Sequence, residues 1–496
     1  MSEEMKSETH CQDAEVNDFF KKGLEHNDES SNPVCCRREC SHRGSALEYR
    51  ECSEQDAGVL RRMLMTGPPV KKLCIWEISL SAFRTAFGDL EGCSSLEELQ
   101  LFNIECGEED FSVNLSGVFG SLHSLELHCE NIRATFAKDI ANYLRENNTL
   151  REFSLWYSCG GDEGAAALIE ALTVNNTLER FTLAQLQLSS ETVIAFAKML
   201  AVNSTLELVD LFDACFVEAE KVSALLEEDL YEDVFKRLRI VWTGQLLPLL
   251  TRLIRKKACW PELSVSLTAS ADRDVLREFF DAVATDTTIR MLHFYPSDGD
   301  TFEELADGIA SVAKRTTTLK AIDNRMHVKP GNEQQLVKVL DALKENRSVT
   351  SFAMYAELLT PEIAVSLSDL LAVNDTLNEV SVCEYWGITA DIVATILRGL
   401  RKNYTLTHLM VSWDPDDDVE GVLEMAELVK RNVRLHEKAA EFVSADGHRV
   451  GNVEGADALK KVRCSANLVE RVQRLTGKTS DASMELIHEV LARLSA

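Results

Sequence analysis

One hydrophobic frame, apolar-x-x-apolar-x-apolar, recurs thirteen times along this chain. It starts at Val70, Leu96, Leu122, Leu150, Leu178, Leu206, Phe235, Trp260, Ile289, Leu319, Val349, Leu377 and Leu406. Successive starts lie 25 to 30 residues apart, and Leu122, Leu150, Leu178 and Leu206 are spaced by 28 each time. Of the 39 frame positions 38 are apolar, Asn324 being the exception, in a chain that is 45% hydrophobic. A fixed period of this length marks stacked supersecondary units, each burying its apolar face only against its neighbours. Such a chain presents a long surface, which points to binding another macromolecule rather than to a pocketed enzyme domain.

Each unit reads alike. The frame alternates apolar and polar residues, as a half-buried strand does. About ten residues later an amphipathic helix begins, as at Asp162–Leu172 and Ser190–Leu200, with Asp162 and Ser190 as expected N-caps. Asn175 and Asn203 stand where these helices must stop, and Asn tolerates the left-handed conformation that ends many helices. A strand followed by a helix at this period is the pattern of a leucine-rich repeat.

The unit Leu150-Arg-Glu-Phe153-Ser-Leu155, its helix and the following Asn175-Asn-Thr-Leu178 resemble the ribonuclease-inhibitor type of leucine-rich repeat. That type also occurs in the repeat regions of NLR immune sensors and of Ran GTPase-activating proteins. The resemblance covers Val70 to about Asn432 and implies an α/β solenoid: a horseshoe with parallel strands on the concave face and helices on the convex face. The chain departs from the family's usual Asn or Cys beyond the third apolar position, where it has Ile104, Glu130, Ser158, Leu186 and Ala214.

The organisation expected is therefore a disordered acidic and polar tail over 1–52, a capping helix within 53–69, about thirteen repeats over 70–432, and a capping repeat with helices over 433–496. Arg434–Val443 reads as the closing unit, and helices near Ala456–Leu475 and Ser480–Leu494 would shield the last repeat, as solenoid ends require.

Composition narrows the partners. A net charge of −29 opposes a phosphate-binding surface, which needs clustered Lys and Arg, so no nucleic acid is expected. It opposes anionic membrane surfaces as well, and no stretch approaches the roughly 18 apolar residues of a membrane span. The polar start Met1-Ser2-Glu3-Glu4 is unlike a secretory signal, so a cytoplasmic protein is expected, with the nucleus as the alternative, and with reduced thiols. Asn-x-Thr or Asn-x-Ser triplets at Asn147, Asn175, Asn203, Asn346, Asn374 and Asn403 each precede a frame start by three residues, and a seventh lies at Asn114. Their phase assigns them to helix ends rather than to glycans.

Strand side chains alternate, so the third, fifth and seventh positions of each frame line the concave face. Thirteen strands at 4.7–4.9 Å make an arc of about 60 Å, wide enough for a small globular partner. Six of the thirteen seventh positions are aromatic (Trp76, Phe102, Trp156, Phe212, Tyr295 and Tyr355), against 7% aromatics in the chain. With His128 they form the expected partner-binding row, rings being favoured interface anchors. Glu98, Gln100, Glu126, Glu152, Ser154, Arg180 and Asp210 make a polar surround, and the N-terminal half is the preferred contact zone. From Lys236 to Lys257 a basic island (Arg237, Arg239, Arg252, Arg255, Lys256 and Lys257 beside Lys236) contains no acidic residue. It reads either as a patch for an acidic segment or as salt bridges between repeats.

Chemical motifs are few. Cys35, Cys36, Cys40, His42 and Cys52 lack the paired spacing of a zinc site. Asp414–Glu420 lacks the glycine and spaced glutamate of a calcium loop and reads as a solvated lead-in to a helix. Gly477-Lys478-Thr479 has Val472 where a phosphate loop needs glycine. Leu246-Leu-Pro-Leu-Leu250 fits a coactivator-like helix but falls on a buried helix face. No catalytic residue, cofactor or metal is expected. The chain reads as a monomeric, non-enzymatic scaffold or adaptor. The alternatives are a GTPase activator, implied by resemblance to the Ran activators, and a substrate receptor of a ubiquitin ligase.

Overall fold

The computed structural model describes residues 46–66, 70–88, 95–105, 120–129, 133–157, 159–184, 188–212, 218–226, 229–267, 272–295, 302–328, 331–356, 359–384, 388–411, 419–445 and 453–495. It divides into two compact units, Met1–Val241 and Trp242–Ala496.

In the first unit eight parallel strands follow one another in chain order. They are β1 (Ala46–Cys52), β2 (Lys72–Ser79), β3 (Glu98–Glu105), β4 (Ser124–Cys129), β5 (Glu152–Trp156), β6 (Arg180–Ala184), β7 (Leu208–Asp210) and β8 (Leu238–Arg239). Between them run α1 (Glu54–Thr66), α2 (Leu80–Phe87), α3 (Ala134–Glu146), α4 (Gly161–Val174), α5 (Ser190–Val202) and α6 (Ala219–Leu226), then a 3₁₀ turn at Asp229–Lys236. The frame explains the sheet. Leu125, Phe153, Phe181 and Val209 lie side by side on successive strands, and each is 2% exposed or less. Burying a side chain of this size contributes about 1.5–3 kcal/mol.

The second unit repeats the scheme. Its seven-stranded sheet runs through β9 (Val241–Thr243), β10 (Glu262–Ser266), β11 (Met291–Tyr295), β12 (Ala321–Val328), β13 (Ser351–Ala356), β14 (Glu379–Glu384) and β15 (His408–Val411). The intervening helices are α7 (Leu247–Lys256), α8 (Arg273–Thr285), α9 (Phe302–Arg315), α10 (Glu333–Glu345), α11 (Pro361–Val373) and α12 (Ala390–Leu400). Four more follow: α13 (Val419–Ser444), α14 (Val453–Val462), α15 (Ala466–Thr476) and α16 (Ser480–Ser495). Each unit is thus a strand–helix repeat solenoid of the leucine-rich-repeat architecture.

The helix ends carry a second periodic feature. The Asn203 amide nitrogen donates to the carbonyls of Leu172 and Asn175, while its oxygen accepts from the amides of Thr205 and Leu206. Asn175, Asn374 and Asn403 do the same one repeat apart, so each asparagine satisfies the carbonyls that end the preceding helix. These are groups a helix cannot satisfy itself. Asn147, Asn175, Asn203, Asn346 and Asn374 take extended backbone angles, not the left-handed ones expected. The amide ladder, rather than a special dihedral, selects Asn. It also leaves Asn175, Asn203, Asn346, Asn374 and Asn403 no more than 6% exposed and engaged in hydrogen bonds. Asn114 lies outside the described residues.

Several expectations need correction. Ala46–Cys52 falls in the segment read as a disordered tail, yet it forms β1, so the sheet begins one strand earlier and α1 belongs to that added repeat. Residues 1–45, with Cys35, Cys36, Cys40 and His42, lie outside the described residues; Cys52 is a buried thiol of β1. The run expected as one arc of strands forms two sheets. Before the Phe235 frame the helix shortens to the eight-residue α6 and is followed by a 3₁₀ turn, and the strands shrink to two and three residues. The α5 cap is Ser189, not Ser190, and α4 starts from a left-handed Gly160. Asp162 instead accepts from the Ser189 amide and the Thr192 hydroxyl of the next repeat. Arg434–Val443 forms no closing strand; it lies inside the 26-residue α13. This helix packs with α14, α15 and α16 around a separate core that includes Ala439, Val443, Leu459, Leu468 and Ile487.

Other sequence segments sit as follows. Residues 414–418 lie outside the described residues, and α13 starts at Val419, just after them. Leu246, Leu247 and Leu250 are buried in the core. Gly477 is the left-handed cap that stops α15 (φ 68°). Asn324, the one polar frame residue, is 3% exposed and shares a small apolar cavity with Gln335.

Candidate functional site

On the strand face of the first unit, the seventh-position rings form a row of ring-to-ring contacts. The rings of Trp76 and Phe102 lie 4.5 Å apart and 16° from parallel. Phe102 reaches His128 at 4.4 Å, and His128 stacks on Trp156 at 5.3 Å and 18°. These separations follow the strand spacing of about 4.7–4.9 Å, so register alone brings the rings into contact. At β6 the small Ala184 interrupts the row, and Trp156 reaches past it to Phe212 at 5.4 Å. All five rings are half-buried. They therefore pack on one another and still keep surface toward solvent.

Polar partners fix the ladder. The Trp76 indole N–H donates to Glu48 Oε1 at 2.7 Å, a partner supplied by β1. Glu126, beside the row on β4, receives the Gln100 amide at 2.8 Å and lies 2.9 Å from His128 Nε2. Burial opposes its ionisation. The hydrogen bond and charge of His128, with Gln100 and the Trp156 indole, outweigh that and hold the carboxyl below its ordinary range. The Trp156 indole nitrogen is itself buried without a hydrogen-bond partner at bonding distance. Lys72 pairs with Glu98 at 3.1 Å and Arg180 with Glu152 at 3.9 Å, so these two carboxylates of the surround are compensated.

Two backbone irregularities lie in the row. Between β3 and β4 the register shifts after Leu101/Leu127, and Asn103 adopts φ 49°, so Phe102 and Asn103 together oppose His128. Tyr157, directly after Trp156, adopts φ 78°, is 59% exposed, and sets its ring edge-on to His128 at 5.7 Å. A bulky residue at positive φ is strained, and such strain concentrates at functional positions. Sequence reasoning missed Tyr157, although the Trp156-Tyr157 pair at the end of a strand was a signal within reach.

Tyr295 and Tyr355 belong to the second unit. There Arg325 stands over the Tyr295 ring at 5.6 Å from its centroid, and its Nε donates to Asp323 Oδ2 at 3.0 Å. Of the other seventh positions, Val241 is buried, Ser266 is half-buried, and Cys383 and Ser412 have no described side chain.

The basic island is divided between the two units. Arg237 donates to the carbonyls of Leu200, Asn203 and Leu206, filling the place of the ladder asparagine where the repeat is irregular. Arg239 pairs with Asp210 at 3.2 Å on the strand face. In the second unit, Arg255 pairs with Glu278 at 3.5 Å and Lys257 donates to Thr287 at 3.1 Å. Arg252 and Lys256 are exposed on α7. Among the described residues, no group of three or more His, Cys, Asp or Glu side chains is placed to hold a metal ion. No described helix is long and apolar enough to cross a membrane.

No protein-family model matches the chain, and no curated protein sequence matches it. Solved structures do. A leucine-rich repeat-containing protein, LegL7, from Legionella pneumophila is 10% identical, with a TM-score of 0.36, over 68% of this chain and 94% of that one. The tropomodulin C-terminal domain of Caenorhabditis elegans is 11% identical, with a TM-score of 0.24, over 38% of this chain and 97% of that domain.

Proposed function

We propose that this chain is a non-enzymatic scaffold or adaptor that receives a partner protein on the strand face of its first unit. Trp76, Phe102, Trp156 and Phe212 are the anchors, and His128 and Tyr157 extend the same apolar surface. The observation that carries this reading is the half-exposed row of touching rings, which bridges Ala184 to reach Phe212. Large rigid rings lose little entropy on contact and dominate interface energetics, and stacking fixes them in advance of binding. Sheet stability alone would be served by β-branched residues at these positions and explains neither the exposed Tyr157 nor its strained backbone.

The basic residues are better accounted for by internal contacts than by a partner, since Arg237, Arg239 and Arg255 are each engaged. A GTPase-activating role and a ubiquitin-ligase receptor role have no specific observation in their favour. Stimulated single-turnover GTP hydrolysis would replace the scaffold reading with the first of these.

The decisive experiment is immunoprecipitation of the tagged chain from native cells beside a Trp76/Trp156/Phe212→Ala triple variant of matched circular dichroism. Partners lost only from the variant are the expected result. Identical partner sets would remove the ring stack from the binding surface.

A further inference from the structure

The second unit carries an arrangement that the aromatic ladder does not explain. His293 and Tyr295 on β11 meet Asp323 and Arg325 on β12 on the strand face. Asp323 Oδ2 accepts from Arg325 Nε at 3.0 Å and lies 3.1 Å from His293 Nδ1. The register between β12 and β13 shifts after Asn324/Met354, so Arg325 sits in a bulge, a device that re-aims a side chain and recurs beside functional sites. Its guanidinium lies over the Tyr295 ring, while the side chain stays 41% exposed. Among the described residues, nothing accepts a hydrogen bond from its two terminal nitrogens. A guanidinium held by Nε from behind, with its Nη pair outward, is oriented for two parallel bonds to a planar oxyanion.

We propose that Arg325 is the anion-receiving residue of a second binding site, one that takes a carboxylate side chain from an extended segment of a partner protein. The choice of carboxylate follows from charge. Asp323 already offsets part of the Arg325 field, and a net charge of −29 repels anions at long range. A guanidinium already paired with one carboxylate accommodates a second singly charged carboxylate at less electrostatic cost than a phosphate dianion, which brings up to twice the negative charge. The Tyr295 ring covers one side of the guanidinium, which lowers the local dielectric and strengthens a contact made there. Asp323 is a positioning residue. Burial works against its charge, but His293 and Arg325 hold its carboxyl below the ordinary range, so it stays ionised and keeps Arg325 oriented.

Fluorescence anisotropy of the full chain with a labelled decapeptide of alternating glutamate and alanine tests this, beside the same peptide carrying a central phosphoserine. The expected result is saturable binding of the glutamate peptide, weakened tenfold or more by Arg325→Gln. Arg325→Lys, which keeps the charge but not the fork, should weaken it at least threefold. No saturable binding by the native chain, or equal affinity in Arg325→Gln of native circular dichroism, would overturn the site. A tenfold preference for the phosphoserine peptide would overturn the carboxylate assignment.

Discussion

Asn203 makes four hydrogen bonds with one side chain, two given to the helix behind it and two received from the strand ahead. Replacing it with alanine strands four backbone groups in a buried joint. Asn203→Ala should therefore cost on the order of 2–4 kcal/mol. Asn176→Ala, one residue after the neighbouring ladder position and exposed, should cost almost nothing. Urea unfolding of the two variants checks the contrast. The positions of the ladder were legible in the sequence because they keep phase with the frame, but their mechanism was not. Phase tells where a helix stops, and only contacts between repeats show that Asn is required for its amide. The same limit hid Arg237, whose guanidinium does this work from a site that composition reads merely as basic. It hid Arg325 too, since spacing between frames does not reveal where a bulge falls.

At the scale of elements, helix packing distance and a buried imidazole make two predictions. A Cβ on Gly399 would stand 2.0 Å from the Ser368 carbonyl oxygen, so α12 can approach the α11 backbone only through glycine. Gly399→Ala should destabilise the second unit by about 1–3 kcal/mol, read as a lower unfolding midpoint. Among the C-terminal helices His436 is fully buried; its Nδ1 lies 2.8 Å from the Asn432 carbonyl and its Nε2 2.8 Å from the Ser465 hydroxyl. Burial lowers its pKa from 6.5 to about 4. Because the folded state resists protonation, the unfolded chain binds the extra proton between those values. Stability is full above pH 6.5, falls as pH drops toward 4, and changes no further from this group below that, a loss on the order of 3 kcal/mol. His436→Gln should flatten that part of the stability profile relative to the native chain; an unchanged slope would place the proton elsewhere. The helices were legible from amphipathic spacing. β1 was not, since the slot three residues before Leu47 is Gly44, which breaks the frame. α13 was misread because Arg434–Val443 alternates enough to imitate a repeat, whereas its neighbours continue one helix.

For the molecule as a whole, charge is the dominant long-range term. A net charge of −29 over 496 residues opposes compaction through self-repulsion. The ion pairs between repeats, such as Lys138–Glu163 and Lys71–Glu97, are exposed and contribute little. Raising sodium chloride from about 10 to 500 mM shortens the Debye length from about 30 Å to below 8 Å, so the repulsion is screened more than is lost in pairs. The melting temperature should therefore rise with salt; a fall would mean that the surface pairs outweigh the net charge. The solenoid architecture was readable from the period alone. The division into two units was not, because the Phe235 frame keeps its apolar positions while its strands and its helix contract.

The asparagine ladder also gives the chain a direction of completion. Where the ladder runs, at Asn175, Asn203, Asn346, Asn374 and Asn403, a helix end stays unsatisfied until the following repeat delivers its asparagine, and synthesis from the N-terminus delivers these in the order required. Arg431 and Asn432, which donate to the carbonyls of Asn403 and Leu406 from within α13, close the last. They act as the stop at the end of a zipper, and a message truncated anywhere before them leaves a product with an open seam.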